Sequence, residues 1–189
     1  MDTQNDFFSQ IIEALRFAAE KHKDQRRKDA EASPYINHPI KVMQILWNEG
    51  QVRDPEVLVA AVFHDTLEDT ETTPEELKSL FGDAVCKLVQ EATDDKSLPK
   101  QTRKQLQIDK ASQKSAQAKQ LKIADKVANI RDIVHNPPKS WSLQRKQEYI
   151  VWAEAVFNGL CGINEKLDQC FLSCIAEARQ KMDSERGAG

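Results

Sequence analysis

The stretch Leu58-Val59-Ala60-Ala61-Val62-Phe63-His64-Asp65-Thr66-Leu67-Glu68-Asp69 decides the reading of this chain. Six apolar residues run without a polar break, so a helix built from them is apolar on every side and belongs in a core. The run ends on an imidazole beside a carboxylate, and a second acidic pair follows one turn later. Continued as a helix, the segment sets Glu68 under His64 and Asp69 under Asp65 at i,i+4 spacing. Carboxylates so close repel unless a cation or a proton offsets them. A metal site with water-handling carboxylates beside it is the economical explanation. An acidic patch at a helix C-terminus is the competing one, and it is unfavourable because the dipole there is already negative.

The flanking sequence is helical in period almost throughout. Six glycines and seven prolines punctuate 189 residues, and no β-branched alternating run stands out. A first helix is expected from Asp6 to about Lys23, with Phe7, Ile11, Leu15 and Ala18 on its inner stripe. Pro39 suits the first turn of a second, ending near Asn48. Thr73-Pro74 opens another helix with a capping hydroxyl, and Gly82-Asp83 separates it from one reaching about Thr93. Asp94 to Pro99 reads as a loop. The strongly polar stretch from Gln101 to Ala118 reads as an exposed helix followed by a mobile connection, a solvated surface rather than a binding element. Helix resumes near Ala118 and stops at Asn136-Pro137-Pro138. Two more, about Ser142 to Asn158 and Ile163 to Met182, close the chain. The expectation is one all-α domain over residues 5–182, a compact bundle of about eight to ten helices, with a frayed tail over 183–189.

Composition narrows the function. Hydrophobic content is 40% and charged content 30%, with a net charge of -3, so no basic excess points to nucleic acid. No stretch approaches a transmembrane helix, and Met1-Asp2-Thr3-Gln4-Asn5-Asp6 is acidic where a signal peptide is basic. Cys86, Cys161, Cys170 and Cys174 form no CxxC pair. Free thiols and cytoplasmic residence fit that spacing. Nothing in the sequence specifies an oligomeric state.

Two further positions complete a ligand set around His64 and Asp65. His38 stands at the mouth of the second helix. Asp125 sits in Leu121-Lys122-Ile123-Ala124-Asp125-Lys126-Val127-Ala128-Asn129-Ile130, apolar enough that its carboxylate needs a partner. Asn129 follows one turn later on the same face. Two imidazoles and two carboxylates without thiolate suit Mn²⁺, Fe²⁺, Co²⁺ or Mg²⁺ better than structural zinc. Arg26-Arg27-Lys28 precede the His38 loop, and Lys122, Lys126 and Arg131 flank Asp125. The basic triplet is either helix-end surface or, if its loop folds over the metal, a phosphate clamp. Metal, arginine and carboxylates together are the kit of phosphoester hydrolysis, with Glu68 and Asp69 orienting and deprotonating the water.

The order His38, His64-Asp65, Asp125 resembles the H…HD…D signature of the HD-domain metal-dependent phosphohydrolases. Longer strings narrow the likeness: Arg26-Arg27-Lys28-Asp29, Tyr35-Ile36-Asn37-His38-Pro39, Phe63 to Thr70 and Leu121 to Asn129 resemble the RelA/SpoT-type hydrolase domain. The short length, Thr93 to Lys100 and Gln147-Glu148-Tyr149 are similar to its stand-alone metazoan branch. The resemblance covers roughly residues 5 to 175 and implies an HD-domain bundle. It also implies removal of the 3′-pyrophosphate from guanosine 3′,5′-bis(diphosphate) and its pentaphosphate relative, with Mn²⁺ as cofactor and a small phosphorylated nucleotide as partner. By the same resemblance His38, His64, Asp65 and Asp125 bind the metal, and Glu68 and Asp69 are catalytic. Arg27, Lys28, Asn129 and Tyr149 contact substrate, with Tyr35, Lys100 and Arg145 at the rim. Three rivals stand beside it: an HD phosphatase for another phosphorylated nucleotide, such as NADPH at its 2′-phosphate, an interaction protein that docks through the polar 101–118 segment, and a non-catalytic nucleotide-binding module. The last predicts a lost ligand or a lost Glu-Asp pair, and neither is seen.

Overall fold

A computed structural model describes residues 3–187. Ten α-helices among them make an all-α bundle. They are α1 (Thr3–Lys21), α2 (Asn37–Gln44), α3 (Pro55–Phe63), α4 (Thr66–Asp69), α5 (Pro74–Phe81), α6 (Asp83–Ala92), α7 (Lys100–Lys110), α8 (Ala116–His135), α9 (Leu143–Leu160) and α10 (Glu165–Gly187). A wider π turn over Ile45–Glu49 extends α2. No described residue belongs to a strand, apart from an isolated bridge between Arg26 and Pro34. Among the described residues no helix is long and apolar enough to cross a membrane.

The apolar run is the axle of the bundle. Every residue of α3 from Val57 to Phe63 is buried, and α1, α2, α6 and α8 pack around it. Asp54 caps its start by accepting from the amides of Glu56 and Val57, and Pro55 fills the first position, where no amide is needed. Phe63 anchors an aromatic cluster with Phe17 and Phe81, at ring separations of 5.7 and 4.5 Å. Burying a side chain of that size stabilises the fold by about 2–3 kcal/mol.

The helix does not continue through the acidic pairs as the spacing predicts. It ends at Phe63, and His64 and Asp65 form a turn before the short α4. The Thr66 hydroxyl donates to the Phe63 carbonyl at 2.8 Å, offering that acceptor a partner outside the helical ladder. Asp65 is left at φ -107° and ψ -4°. The break separates the two acidic residues: Glu68 turns toward the loop after α6 and toward α7, whereas Asp69 meets Lys96.

Two more expectations change. The polar stretch is not a helix with a mobile tail: α7 passes through a 3-10 turn at Ala111–Gln113 straight into α8. Ala111 is fully buried against Gly159, where an added Cβ would come within 2.6 Å of its own. Ser115 then caps α8 through the amide of Ala118. At the C-terminus, α10 runs on through Gly187, so the fraying expected from residue 183 is absent up to that point. Ala188 and Gly189 lie outside the described residues.

Candidate active site

Three elements deliver the four predicted ligands to one buried place. His38 enters from the first turn of α2, His64 and Asp65 from the turn after α3, and Asp125 from the middle of α8. His38 Nε2 lies 3.2 Å from Asp125 Oδ1 and 3.9 Å from Asp65 Oδ2. His64 Nε2 lies 3.0 Å from Asp65 Oδ2 and 3.7 Å from Asp125 Oδ1. Nitrogen and oxygen donors of His38, His64 and Asp65 lie within 4.8 Å of one another, a span that one cation can bridge.

The donor set fits a metal on its own chemistry. His64 Nδ1 donates to the Ala61 carbonyl at 2.8 Å, which leaves Nε2 as the lone-pair nitrogen. That Nε2 is buried without a hydrogen-bond partner, although it faces two carboxylates. A buried acceptor nitrogen aimed at carboxylate oxygens is what a cation between them resolves. Tyr35 donates its hydroxyl to Asp65 Oδ2 at 2.6 Å, and Asn129 Nδ2 donates to Asp125 Oδ1 at 2.7 Å, so the oxygen each carboxylate turns to the imidazoles is itself held by a neighbour.

Electrostatics carry the same message. Burial pulls the Asp65 pKa upward, but His64 overrides it and holds the group well below the usual carboxylate range. Asp125 is likewise pushed up by burial and brought down further by Lys126 and the two imidazoles. Burial opposes charge on His64, yet Asp65 and Asp125 hold its pKa up at about 10, so that without a cation a proton on Nε2 takes the place of the positive charge. His38, where burial wins, is depressed. The cluster is thus built around positive charge.

Above it opens a cavity of about 340 Å³, walled by Glu68, Asp94, Lys122, Lys126, Asn129, Tyr149 and Trp152 among others. Burial, followed by Asp65 and Asp94, raises the Glu68 pKa, which suits a group that takes up a proton. The basic loop does fold over the site. Arg27 Nη2 reaches Asn129 Oδ1 at 3.1 Å and Asp132 Oδ2 at 2.7 Å, and Lys28 lines the same cavity. Lys126 is buried with Nζ 3.2 Å from Asp125 Oδ2 and over the Trp152 ring at 4.7 Å.

The other predicted positions divide. Lys100 and Arg145 line a neighbouring cavity of about 510 Å³ that shares Asp94, Gln107, Trp141, Tyr149 and Trp152 with the first. Tyr35 does not sit at a rim; its ring lies 4.9 Å from that of His22, tilted by 34°, and its hydroxyl serves Asp65. Asp69 is absent from the cavity wall and pairs with Lys96. Arg131 turns away from Asp125 to a bidentate pair with Glu49 at 2.6 Å. Asp94, Arg103, Gln107 and Trp141 surround the site without having been singled out from the sequence. The signal for the α7 pair was its i,i+4 spacing on a helix otherwise read as surface.

A family model described as the HD domain matches residues 14–154. The chain belongs to the HD-domain family. Among its relatives, a protein of Danio rerio named guanosine-3′,5′-bis(diphosphate) 3′-pyrophosphohydrolase MESH1 is 54% identical over 166 residues, 86% of this chain and 92% of its own. The Homo sapiens protein of the same name is 51% identical over 161 residues, covering 85% of this chain and 90% of its own. A solved HD-domain structure, described as a metazoan ortholog of SpoT that hydrolyzes ppGpp and plays a role in starvation responses, superimposes with a TM-score of 0.86 at 45% identity. It covers 89% of this chain and 94% of that one.

Proposed function

We propose that this chain hydrolyses guanosine 3′,5′-bis(diphosphate) at its 3′ position, releasing pyrophosphate and GDP, with Mn²⁺ in the centre formed by His38, His64, Asp65 and Asp125. The carrying observation is the unpartnered His64 Nε2 facing two oriented carboxylates at the floor of a cavity that also holds Glu68 and a set of basic side chains. A divalent cation held there supplies positive charge to phosphate oxygens and acidifies water. The activity for which the relatives are named supports the choice of substrate.

The chain's own residues do the rest. Glu68 takes the proton of the attacking water, whose oxygen adds to the phosphorus joined to the ribose 3′ oxygen. That bond breaks, the 3′ oxygen leaves as a hydroxyl, and one water is consumed for each pyrophosphate released. Arg27 and Lys28 bind phosphate oxygens from the loop side, and Lys122 and Lys126 from α8, stabilising charge that grows in the transition state. Tyr149 and Asn129 position the nucleotide. Asp69 assists from outside the wall, and Lys100 and Arg145 hold the far end of the substrate. Four unpaired cysteines support residence in a reducing compartment such as the cytoplasm.

Purified protein is incubated with the tetraphosphate and Mn²⁺ in ¹⁸O-labelled water. Equimolar GDP and pyrophosphate, with label in the pyrophosphate and no turnover in EDTA, is the expected result. Products other than these, or turnover indifferent to EDTA, sinks the reading.

A further inference from the structure

Nothing in the reaction above explains why the polar helix α7 is folded against the site. None of its residues is fully buried, and from its apolar residues Ile108 alone packs, half-buried, against the core, so apolar packing is a weak reason for its placement. One tether is the Trp152 indole, which donates to the Lys104 carbonyl at 3.0 Å while Lys104 Nζ lies over the same ring at 4.7 Å. That tether aims the preceding residue. Arg103 Nη1 reaches Glu68 Oε1 at 3.4 Å, and the amide of Asp94 donates to Glu68 Oε2 at 3.3 Å, so both carboxylate oxygens are engaged. One turn on, Gln107 Nε2 donates to Asp94 Oδ2 at 2.5 Å.

The pair is shielded: the Glu68 and Arg103 side chains retain only 17% and 24% exposure. Ion pairs at such sites are screened less than those in open solvent. Arg103 Nε and Gln107 Oε1 are both buried without a partner. A donor and an acceptor left open one turn apart, beside Asp94 and Glu68, fit a water or a ligand hydroxyl between them. Lys96 does for Asp69 what Arg103 does for Glu68, but at 48% exposure.

We infer that Arg103 is the positioning residue for Glu68, so that α7 serves the reaction by fixing the direction in which that carboxylate meets water. The inference rests on the reading that Glu68 activates the water. A positioning role separates from direct substrate binding by where its loss appears. Without Arg103 the metal ligands and the phosphate-binding side chains are untouched, while Glu68 keeps the Asp94 amide and the half-exposed Lys96, 3.9 Å from the same oxygen, and loses its shielded partner.

The test is a double-mutant cycle on the full Mn²⁺-loaded chain with guanosine 3′,5′-bis(diphosphate), reading kcat, KM and metal content. Arg103→Ala is expected to lower kcat about 10-fold or more with KM within about twofold and metal content unchanged. Arg103→Lys recovers part of the loss. In the Glu68→Gln background, adding Arg103→Ala changes kcat by less than about twofold, because the carboxylate it positioned is gone. If Arg103→Ala unfolds, as a thermal melt would show, Arg103→Met keeps the aliphatic stem and takes its place in the cycle. A loss confined to KM, or effects that multiply in full with Glu68→Gln, overturns the inference and makes Arg103 an independent substrate contact. Undiminished turnover by Glu68→Gln alone overturns the reading of Glu68 itself, a distinct result.

Discussion

The cluster of His38, His64, Asp65 and Asp125 and the wall made by α7 are equally polar, yet they are built on opposite principles. The cluster is set into the core. His38 and His64 are 2% and 3% exposed, and neighbouring side chains tie down each carboxylate. α7 lies on the outside, has no fully buried residue, and touches the chemistry through Arg103 and Gln107. Taking charged groups out of water costs several kcal/mol each, so the buried cluster persists only with its compensating charge. The helix wall bears no such constraint. What holds the cation must be rigid and buried; what aims the water-handling carboxylate needs only two well-placed contacts.

The largest effect should fall on the cluster. Asp65→Ala is expected to lose bound metal and at least ~10³-fold in turnover, read by elemental analysis and kcat together. Next comes Glu68→Gln, costing on the order of 10²-fold in kcat while metal content is kept. The same variant sharpens a pH prediction. A base works deprotonated, so the rate falls as pH drops through the Glu68 pKa. Burial, Asp65, Asp94 and Asp69 raise that pKa against the Asp94 amide. The acidic limb of the kcat profile therefore lies above the ordinary glutamate value, and Glu68→Gln should abolish it. A limb that survives the substitution belongs to another group. Tyr35→Phe removes the hydroxyl that donates to Asp65 Oδ2 and is expected to weaken metal affinity about tenfold, seen in a Mn²⁺ titration. The smallest effect is expected of Lys96→Ala: its pair with Asp69 is half-exposed, and kcat should change less than about threefold. A Lys96 effect as large as that of Arg103 would erase the distinction between a shielded and a solvated contact on the same wall.

Much of the site was legible because charge in an apolar frame has few explanations. His64 and Asp65 follow seven buried residues, and Asp125 stands between Ala124 and Val127 in the core face of α8. The break after Phe63 was not legible, since it depends on where one threonine hydroxyl finds its acceptor. Tyr35 was placed at a rim because the resemblance offered a substrate role, while its hydroxyl serves Asp65. Arg131 was grouped with Lys122 and Lys126 by nearness in sequence. Six residues beyond Asp125, however, it occupies another face of α8, whereas Asn129 and Asp132 at i+4 and i+7 share the Asp125 face. Arg103 and Gln107 were hidden by composition: on a helix of lysines and glutamines, periodicity carries no contrast.

The most direct test of this account is bound Mn²⁺ per chain and turnover of guanosine 3′,5′-bis(diphosphate), measured side by side for the parent chain, Asp65→Ala and Glu68→Gln. The account predicts that Asp65→Ala loses both and that Glu68→Gln keeps the metal and loses the turnover. Metal and turnover falling together in Glu68→Gln would contradict the division between a buried cluster that holds the cation and a carboxylate that handles water.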